Sequence, residues 1–332
     1  MTLPPLMRVL LWPVSLLYGQ LARLRVWFYE KGIFEQRRLG KPVISVGNLT
    51  VGGTGKTPMV IWLAQRLIAE GKRVGILSRG YKGSGGTSDE IELMKARLQD
   101  RALFGVGSNR FESGAKIEAG VDVFLLDDGF QHLALSRDAD ILLIDASQAL
   151  ARQALLPTGR LREPVAAMAR ADILVFTRSE TVSGAGAAIE KMQGFPVFSA
   201  ATRLIGLRRL GGDSSTMQAE QIGSGPFYAF CGIGNPRAFF QDLQNWKMPL
   251  ADRCEFADHH RYDARDAREL EDAAQRAGAK ALLTTEKDAQ NLAGVQFRAL
   301  PVFITLIEFE ITRADALLAM VREKIDSRMV AA

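Results

Sequence analysis

Short apolar runs alternate with stretches of helical periodicity along most of the chain. KPVISVGNL (41–49) is a β-branched run that predicts a buried strand, and MVIWLAQRLIAEGK (59–72) carries apolar residues at helical spacing and closes with Gly71, a helix-ending residue. Between them lies the glycine-rich VGGTGKTP (51–58), so the local order is strand, loop, helix. RVGILSRG (73–80) predicts the next strand and leads into a polar glycine loop, YKGSGGTSDE (81–90). Helices are expected over about 90–99 and 110–119, with the weak segment ALFGVG (102–107) between them. VDVFLLDDG (121–129), ADILLIDAS (139–147) and ADILVFTRS (171–179) are three further compact runs that end in polar or acidic residues. Such alternation argues for an α/β fold, a parallel sheet covered on both faces.

The character changes near residue 184. Small residues dominate 183–188, LRRLGGDSSTMQAEQ (207–221) reads as a surface excursion, and a second α/β set starts at GPFYAFCGIG (225–234) and ends in a helix over about 313–327. The expected division is an N-terminal helix and basic collar (1–40), a first lobe (41–200) and a smaller second lobe (201–332).

The N-terminus departs from both rhythms. LPPLMRVLLWPVSLLYGQLA (3–22) contains one charged residue, Arg8; Arg23, Arg25, Lys31, Arg37, Arg38 and Lys41 then follow against only Glu30 and Glu35. Arg8, Pro13, Gly19 and Gln20 interrupt the apolar run, leaving it short of the ~20 residues a spanning helix needs. RLRVWFYEKG after the run is unlike a signal-peptidase site. Trp12, Tyr18, Trp27, Phe28 and Tyr29 beside arginines suit a helix lying at a lipid interface. The competing reading is a helix packed on the protein's own core.

Composition narrows the classes. In 332 residues, 47% hydrophobic and 24% charged, the mixture is globular, and two cysteines are too few for a disulfide scaffold or a cysteine-rich zinc site. A reducing compartment fits. The net charge of +5 is mild for a nucleic-acid binder, so no nucleic-acid partner is expected. His132, His259 and His260 are the whole imidazole inventory.

The chemistry starts at the glycine loop. Thr50, Val51, Gly52, Gly53, Thr54, Gly55, Lys56 and Thr57 form a phosphate-binding candidate ending in Gly-Lys-Thr, where backbone amides at a helix N-terminus meet phosphate oxygens. Lys56 is placed to bridge the β- and γ-phosphates and Thr57 to reach Mg²⁺; Thr50 stands where the strict pattern has glycine. VFLL delivers Asp127 and Asp128 at a strand's carboxyl end, the usual place for a metal carboxylate, although Asp-Gly is also a common turn pair. Asp145 has a similar position and reads as structural.

Read together, GNLTVGGTGKTP (47–58), SRGY (78–81), DDGFQH (127–132), LLPTGRLREP (155–164), ADHHRY (257–262) and TTEKDA (284–289) resemble one family, the tetraacyldisaccharide 4′-kinases of lipid A biosynthesis. The motifs run in the family's order from about residue 8 to 310. The resemblance implies a P-loop NTPase-like three-layer core with a second, smaller α/β lobe, a catalytic cleft between two lobes, and an N-terminal membrane-interface helix. It implies ATP and Mg²⁺ as cofactors, and phosphorylation of the 4′-hydroxyl of a tetraacylated glucosamine disaccharide 1-phosphate. The setting it implies is the cytoplasmic face of the bacterial inner membrane. It also implies a pairing between the histidine of the Asp-His motif, here Asp258-His259, and an aspartate in a Gly-Asp-Glu-Pro stretch. Here that stretch reads Ser88-Asp89-Glu90-Ile91, so Asp89 matches while glycine and proline do not.

A sugar hydroxyl is a poor nucleophile, so transfer benefits from a nearby base and from charge neutralisation at the γ-phosphoryl group. His259 suits the first task, with Asp89 the family-suggested partner and Asp258 the local alternative; the competing reading is a turn histidine in a charged loop. Arg162 is a candidate to stabilise transferring phosphate and Glu163 to hold Mg²⁺ through water, unless the two simply pair with each other. Arg79 is a candidate for substrate phosphate. Lys287 is a candidate for nucleotide contact or structural support, with Glu286 or Asp288 as partner. His260 reads as solvated or substrate-facing and His132 as support for the acidic loop. The alternative activity is a partitioning or assembly ATPase, whose loop often carries lysine where this chain has Val51.

Overall fold

The computed structural model describes residues 4–80, 88–148, 150, 153–181, 194–212, 215–218 and 225–330. Tyr81 of the SRGY motif, Thr87 and most of the 81–90 loop lie outside them. The chain forms two units, one of residues 1–81, 98–201 and 310–332, the other of residues 82–97 and 202–309.

The first unit is built on β1 (Val43–Asn48), β2 (Val74–Ser78), β3 (Ala102–Val106), β4 (Val123–Asp127), β5 (Ala139–Asp145), β6 (Ile173–Thr177) and the start of β7 (Val197–Arg209). Their order is β3-β2-β4-β1-β5-β6-β7, and every described pairing within it is parallel. β1, β2, β4 and β5 are buried at every position, which is why they read as unbroken apolar runs. β3 is the edge, with Leu103 and Val106 exposed, and this explains the weak signal of ALFGVG. From β1 the chain moves to one side of the sheet, and from β4 it crosses to the other. A crevice therefore opens beyond the carboxyl end of β1, the place where open α/β sheets bind ligands. The helix expected over 110–119 is shorter, ending at Ala115 with a 3-10 turn at Glu118–Gly120. Leu39 packs so close to Gly114 that a β-carbon there would lie 2.6 Å from its Cδ1.

Helix α1 (Pro5–Glu30) is packed on the protein along part of its surface only. One narrow seam docks on the protein: Ser15 is 5% exposed, its hydroxyl pairs with Thr158 Oγ1 at 2.7 Å, and Tyr18 donates to the Arg162 carbonyl at 2.9 Å. Gly19 lies against Leu155, where a β-carbon would meet Cδ1 at 2.6 Å. Much of the remaining apolar surface is uncovered, with Leu6 74%, Val9 71% and Leu10 69% exposed and Trp12, Leu17, Leu21 and Trp27 exposed as well. Among the described residues no helix is long and apolar enough to cross a membrane. The close approach at Gly19 makes a test. Gly19→Leu is expected to destabilise the chain by about 1–3 kcal/mol through overpacking against Leu155, read as a lower urea midpoint; an unchanged midpoint would show that α1 does not dock there.

In the second unit β8 (Phe227–Cys231), β9 (Leu250–Glu255), β10 (Ala281–Thr285) and β11 (Val302–Ile311) follow the order β11-β10-β8-β9, again parallel in each described pair. Alternation along β8 feeds two cores. Phe227, Ala229 and Cys231 join Phe239, Phe240 and Leu243 of helix Pro236–Asn245, whereas Tyr228 and Phe230 join Leu270 and Ala274 of helix Ala264–Arg276. The expected surface excursion at 207–221 starts later than the composition suggests. β7 runs on to Arg209, Leu207 is fully buried, and it exchanges both backbone hydrogen bonds with Met217.

Candidate active site

The glycine loop leaves β1 at Asn48, a fully buried side chain that organises the turn. Its Nδ2 donates to the Thr50 carbonyl and to Thr54 Oγ1, both at 2.8 Å, and its Oδ1 accepts from Lys56 Nζ at 3.3 Å. Gly55 then takes a left-handed φ of 87° as the residue preceding helix α2 (Lys56–Ala69), a conformation that glycine adopts without steric cost. The amides at the start of α2 have no intrahelical partners, which makes this end of the helix an anion cradle. Pro58, within the first turn, loses no hydrogen bond there. A second strand of chain straps the loop from outside. The Val51 amide donates to the Arg160 carbonyl at 2.8 Å, and the Arg160 guanidinium returns two bonds to the Val51 carbonyl at 3.1 and 2.8 Å.

Asp127 ends β4, paired in register with Val46 of β1, so it stands one strand away from the loop. Its carboxylate is buried and accepts from Ser78 Oγ at 3.3 Å. Asp128 follows with φ 52°, and this strained turn swings its side chain toward the cations. Arg162 Nη1 lies 2.8 Å from both Asp128 oxygens and Lys56 Nζ lies 3.5 Å away. Burial pushes the Asp128 carboxyl up, but Lys56 and Arg162 together outweigh it and hold it below the usual carboxylate range. Arg162 and Glu163 do not pair with each other. Glu163 is buried against Arg170, whose guanidinium lies 4.5 Å over the Phe130 ring. Asp145 accepts from Ser147 and Gln148 in its own turn, in keeping with a structural role. His132 is also structural in character: burial first, then Arg110, Arg137, Arg25 and Arg79, push its imidazole down to about 4, so it is neutral near pH 7.

The second unit assembles a separate group around His259. Helix α3 (Asp89–Leu98) starts behind Ser88, whose Oγ accepts from the Ile91 amide, and this places Asp89 in the first turn with its side chain 8% exposed. His259 takes φ 60°, and its Nδ1 meets the Asp89 carboxylate at 3.0 and 3.2 Å. Asp258 touches the other side of the ring, 3.8 Å from Nε2, so the partner of Nδ1 is Asp89. Lys287 reaches the same place, at 3.4 Å from His259 Nε2, 3.2 Å from Asp258, 3.7 Å from Asp89 and 3.8 Å from Glu90. Burial lowers the Lys287 ammonium, yet Asp89, Glu90 and Asp258 more than offset it, so the lysine stays charged.

The expected partners of Lys287 are thus replaced. Glu286 turns to Arg97 at 3.4 Å and to the Ile307 amide at 3.4 Å. Asp288 accepts from Thr285 Oγ1 at 2.6 Å, the Gly232 amide at 2.7 Å and Tyr262 OH at 2.8 Å, although burial still raises its pKa. That buried carboxylate ties together the two segments that present the group, because the His259 amide donates to the Gly232 carbonyl and Lys287 adjoins Asp288. His260 is not solvated: it stacks on Phe256 with centroids 4.5 Å apart and bonds Asp266 at 2.9 Å.

The structure therefore collects Thr50–Thr57, Asp127, Asp128 and Arg162 about one loop in the first unit, and Asp89, Asp258, His259 and Lys287 about one imidazole in the second. Glu163 stands beside Arg170 instead. Arg79 follows β2 at its carboxyl end and is exposed. The oxygen donors suit magnesium, since Mg²⁺ takes one or two protein oxygens and completes its shell with water and phosphate. Thr57 and Asp127 are the candidates, Asp128 being held by two cations. Sequence reading misses Asn48 and Arg160. Asn48 is detectable as the polar residue closing an otherwise apolar run, whereas nothing in LLPTGRLREP sets Arg160 apart from Arg162.

The model of the tetraacyldisaccharide-1-P 4′-kinase family matches residues 7–326. The chain belongs to this family. Tetraacyldisaccharide 4′-kinase of Geobacter sulfurreducens is 41% identical over 311 residues, covering 88% of this chain and 86% of that protein. The Geobacter metallireducens enzyme is 41% identical over 327 residues, with 92% and 95% covered. Among solved structures, the "apo" form of LpxK from Aquifex aeolicus in complex with ATP matches with a TM-score of 0.76 and 31% identity, covering 96% of this chain and 99% of that one. This family member accordingly has the P-loop NTPase-like α/β fold that the resemblance implies. Membership also sets aside the partitioning ATPase, in agreement with Val51.

Proposed function

We propose that the protein is an ATP-dependent tetraacyldisaccharide 4′-kinase, transferring the γ-phosphoryl group of ATP to the 4′-hydroxyl of a tetraacylated glucosamine disaccharide 1-phosphate. The observation that carries this reading is a family match over 7–326, which spans both the Gly-Lys-Thr loop and the Asp89–His259 pair. In this reading the amides of residues 52–57 cradle the phosphates. Lys56 and Arg162, already set side by side by Asp128, neutralise charge that builds up on the transferring group. Thr57 and Asp127 would hold Mg²⁺, which would supply further charge neutralisation at the phosphates. The Asp89–His259 pair accepts the hydroxyl proton, Asp89 orienting the ring through Nδ1. Glu163 serves the site by fixing Arg170 and the LREP turn. The test is ATP turnover with and without the disaccharide lipid, with the product weighed by mass spectrometry. One added phosphate on the lipid is expected; turnover with no phosphorylated lipid would overturn the reading.

We place the site of action at the cytoplasmic face of the bacterial inner membrane. A tetraacyl lipid leaves its bilayer only at a large cost in apolar exposure, so the enzyme must approach the surface. The uncovered apolar face of α1, followed by exposed Arg23, Arg25 and Lys31, supports a helix lying in the interface of an anionic leaflet. The chain is expected to float with anionic vesicles and less with neutral ones, and replacing Leu10 and Leu17 by glutamate is expected to release it. Flotation unaffected by that change would assign the contact elsewhere.

A further inference from the structure

Of the DDGFQH run (127–132), the two aspartates enter the site and His132 is structural, which leaves Gln131 unassigned. Its backbone belongs to a turn pressed on the end of β1. Phe130 is fully buried, the His132 amide donates to the Gly129 carbonyl at 2.8 Å, and a β-carbon on Gly47 would lie 2.7 Å from the Phe130 amide nitrogen. From that turn the side chain reaches two groups at once: Nε2 donates to the Asn48 carbonyl at 3.0 Å, and Oε1 accepts from Arg162 Nη1 at 3.3 Å. A carbonyl only accepts and a guanidinium only donates, so the amide has one orientation that satisfies both, and an ionised glutamate in its place would turn an acceptor on an acceptor. Arg162 is otherwise held by Asp128, whose two oxygens lie 2.8 Å from the same Nη1, and by its own amide, which donates to the Leu49 carbonyl at 2.7 Å. Asp128 also attracts Lys56, so it draws both cations together without fixing where each one points. Neutral oxygens supply that direction. Lys56 donates to Asn48 Oδ1 at 3.3 Å, and Arg162 is tied through Gln131 to the carbonyl of the same residue; neither contact neutralises a cation. We propose that Gln131 is a positioning residue that registers the Arg162 guanidinium to Asn48 at the root of the phosphate loop, so that Arg162 and Lys56 present their charges to the transferring group from one frame.

The kinetic consequence rests on the kinase reading, whereas the contact itself does not, and the two are tested apart. Gln131→Met keeps the length of the side chain and removes both polar atoms. In a double-mutant cycle of the full chain with Arg162→Met, Gln131→Met is expected to lower the urea midpoint by more in the wild-type background than in the Arg162→Met background. Equal shifts in the two backgrounds would overturn the contact whether or not the protein is a lipid kinase. Lipid phosphorylation then tests the role. Gln131→Met is expected to lower kcat by about 10–100-fold, the range for removing an outer partner that orients a functional group, with KM for ATP little changed, and to add almost nothing to the loss in Arg162→Met. Gln131→Glu keeps an acceptor for Arg162 but loses the donor to Asn48, and its kcat is expected to fall with that of Gln131→Met. Wild-type kcat in Gln131→Met, or full activity in Gln131→Glu, would reject the positioning role, as would a raised KM for ATP at unchanged kcat. A wild-type chain that forms no phosphorylated lipid would instead overturn the kinase reading.

Discussion

His259→Ala is expected to lower the rate of phosphoryl transfer by about 10²–10⁴-fold, the range for a lost general acid or base, with ATP binding little changed. Asp89→Asn is expected to approach the same loss, since the amide preserves size but removes the carboxylate that orients Nδ1 at 3.0 Å. The two losses should not add, because each variant disables the same pair. Single-turnover kinetics under saturating ATP isolate the step, and calorimetric titration of a nonhydrolysable analogue checks binding. Unchanged single-turnover chemistry in His259→Ala would remove the imidazole from the reaction. Weakened nucleotide binding with an intact chemical rate would move His259 to the nucleotide's side of the problem.

The second large effect belongs to Lys56. Lys56→Met is expected to reduce kcat by about 10²–10³-fold, the cost of losing one preorganised charge contact to a transition state. It also strips Asp128 of one of its two cations, the other being Arg162 at 2.8 Å. With both present, the folded pKa of Asp128 lies below its ordinary value of 3.8. The stability from its ionisation is therefore fully present above 3.8 and is lost as pH falls through the lower, folded value. Without Lys56 the folded value rises, so the loss begins at a higher pH. Acid unfolding of Lys56→Met should begin less acid than that of wild type, and coincident acid transitions would show that Lys56 does not hold Asp128.

How much of this was legible beforehand depended on range along the chain. β1, β4 and β5 are buried on both faces, so their sequences carry the signal alone, and the Gly-Lys-Thr loop announces itself through local spacing. Edge strand β3 and the late part of β7 were harder to read, because one has a half-exposed face and the other ends among polar residues. Partnerships across long separations were the least legible. Asp89 and His259 stand 170 positions apart, and a motif pointed to their pairing where spacing did not. Nothing local distinguishes Lys287, which finds Asp89, Glu90 and Asp258, from the flanking Glu286 and Asp288, which turn to Arg97 and Tyr262. The burial of Glu163 against Arg170 was equally invisible, since each had several plausible charges nearby.

The docked seam of α1 has a geometric consequence. Ser15 and Tyr18 bind the same 155–162 segment that clasps Val51 through Arg160 and holds Asp128 through Arg162. Helix α1 and phosphate loop thus share one short connector, a few side chains deep. In whatever plane α1 lies, the height of the Gly-Lys-Thr loop above that plane is set by this connector, as a ruler sets a distance. An acceptor whose hydroxyl stood at another height would miss the loop without any change in either binding surface.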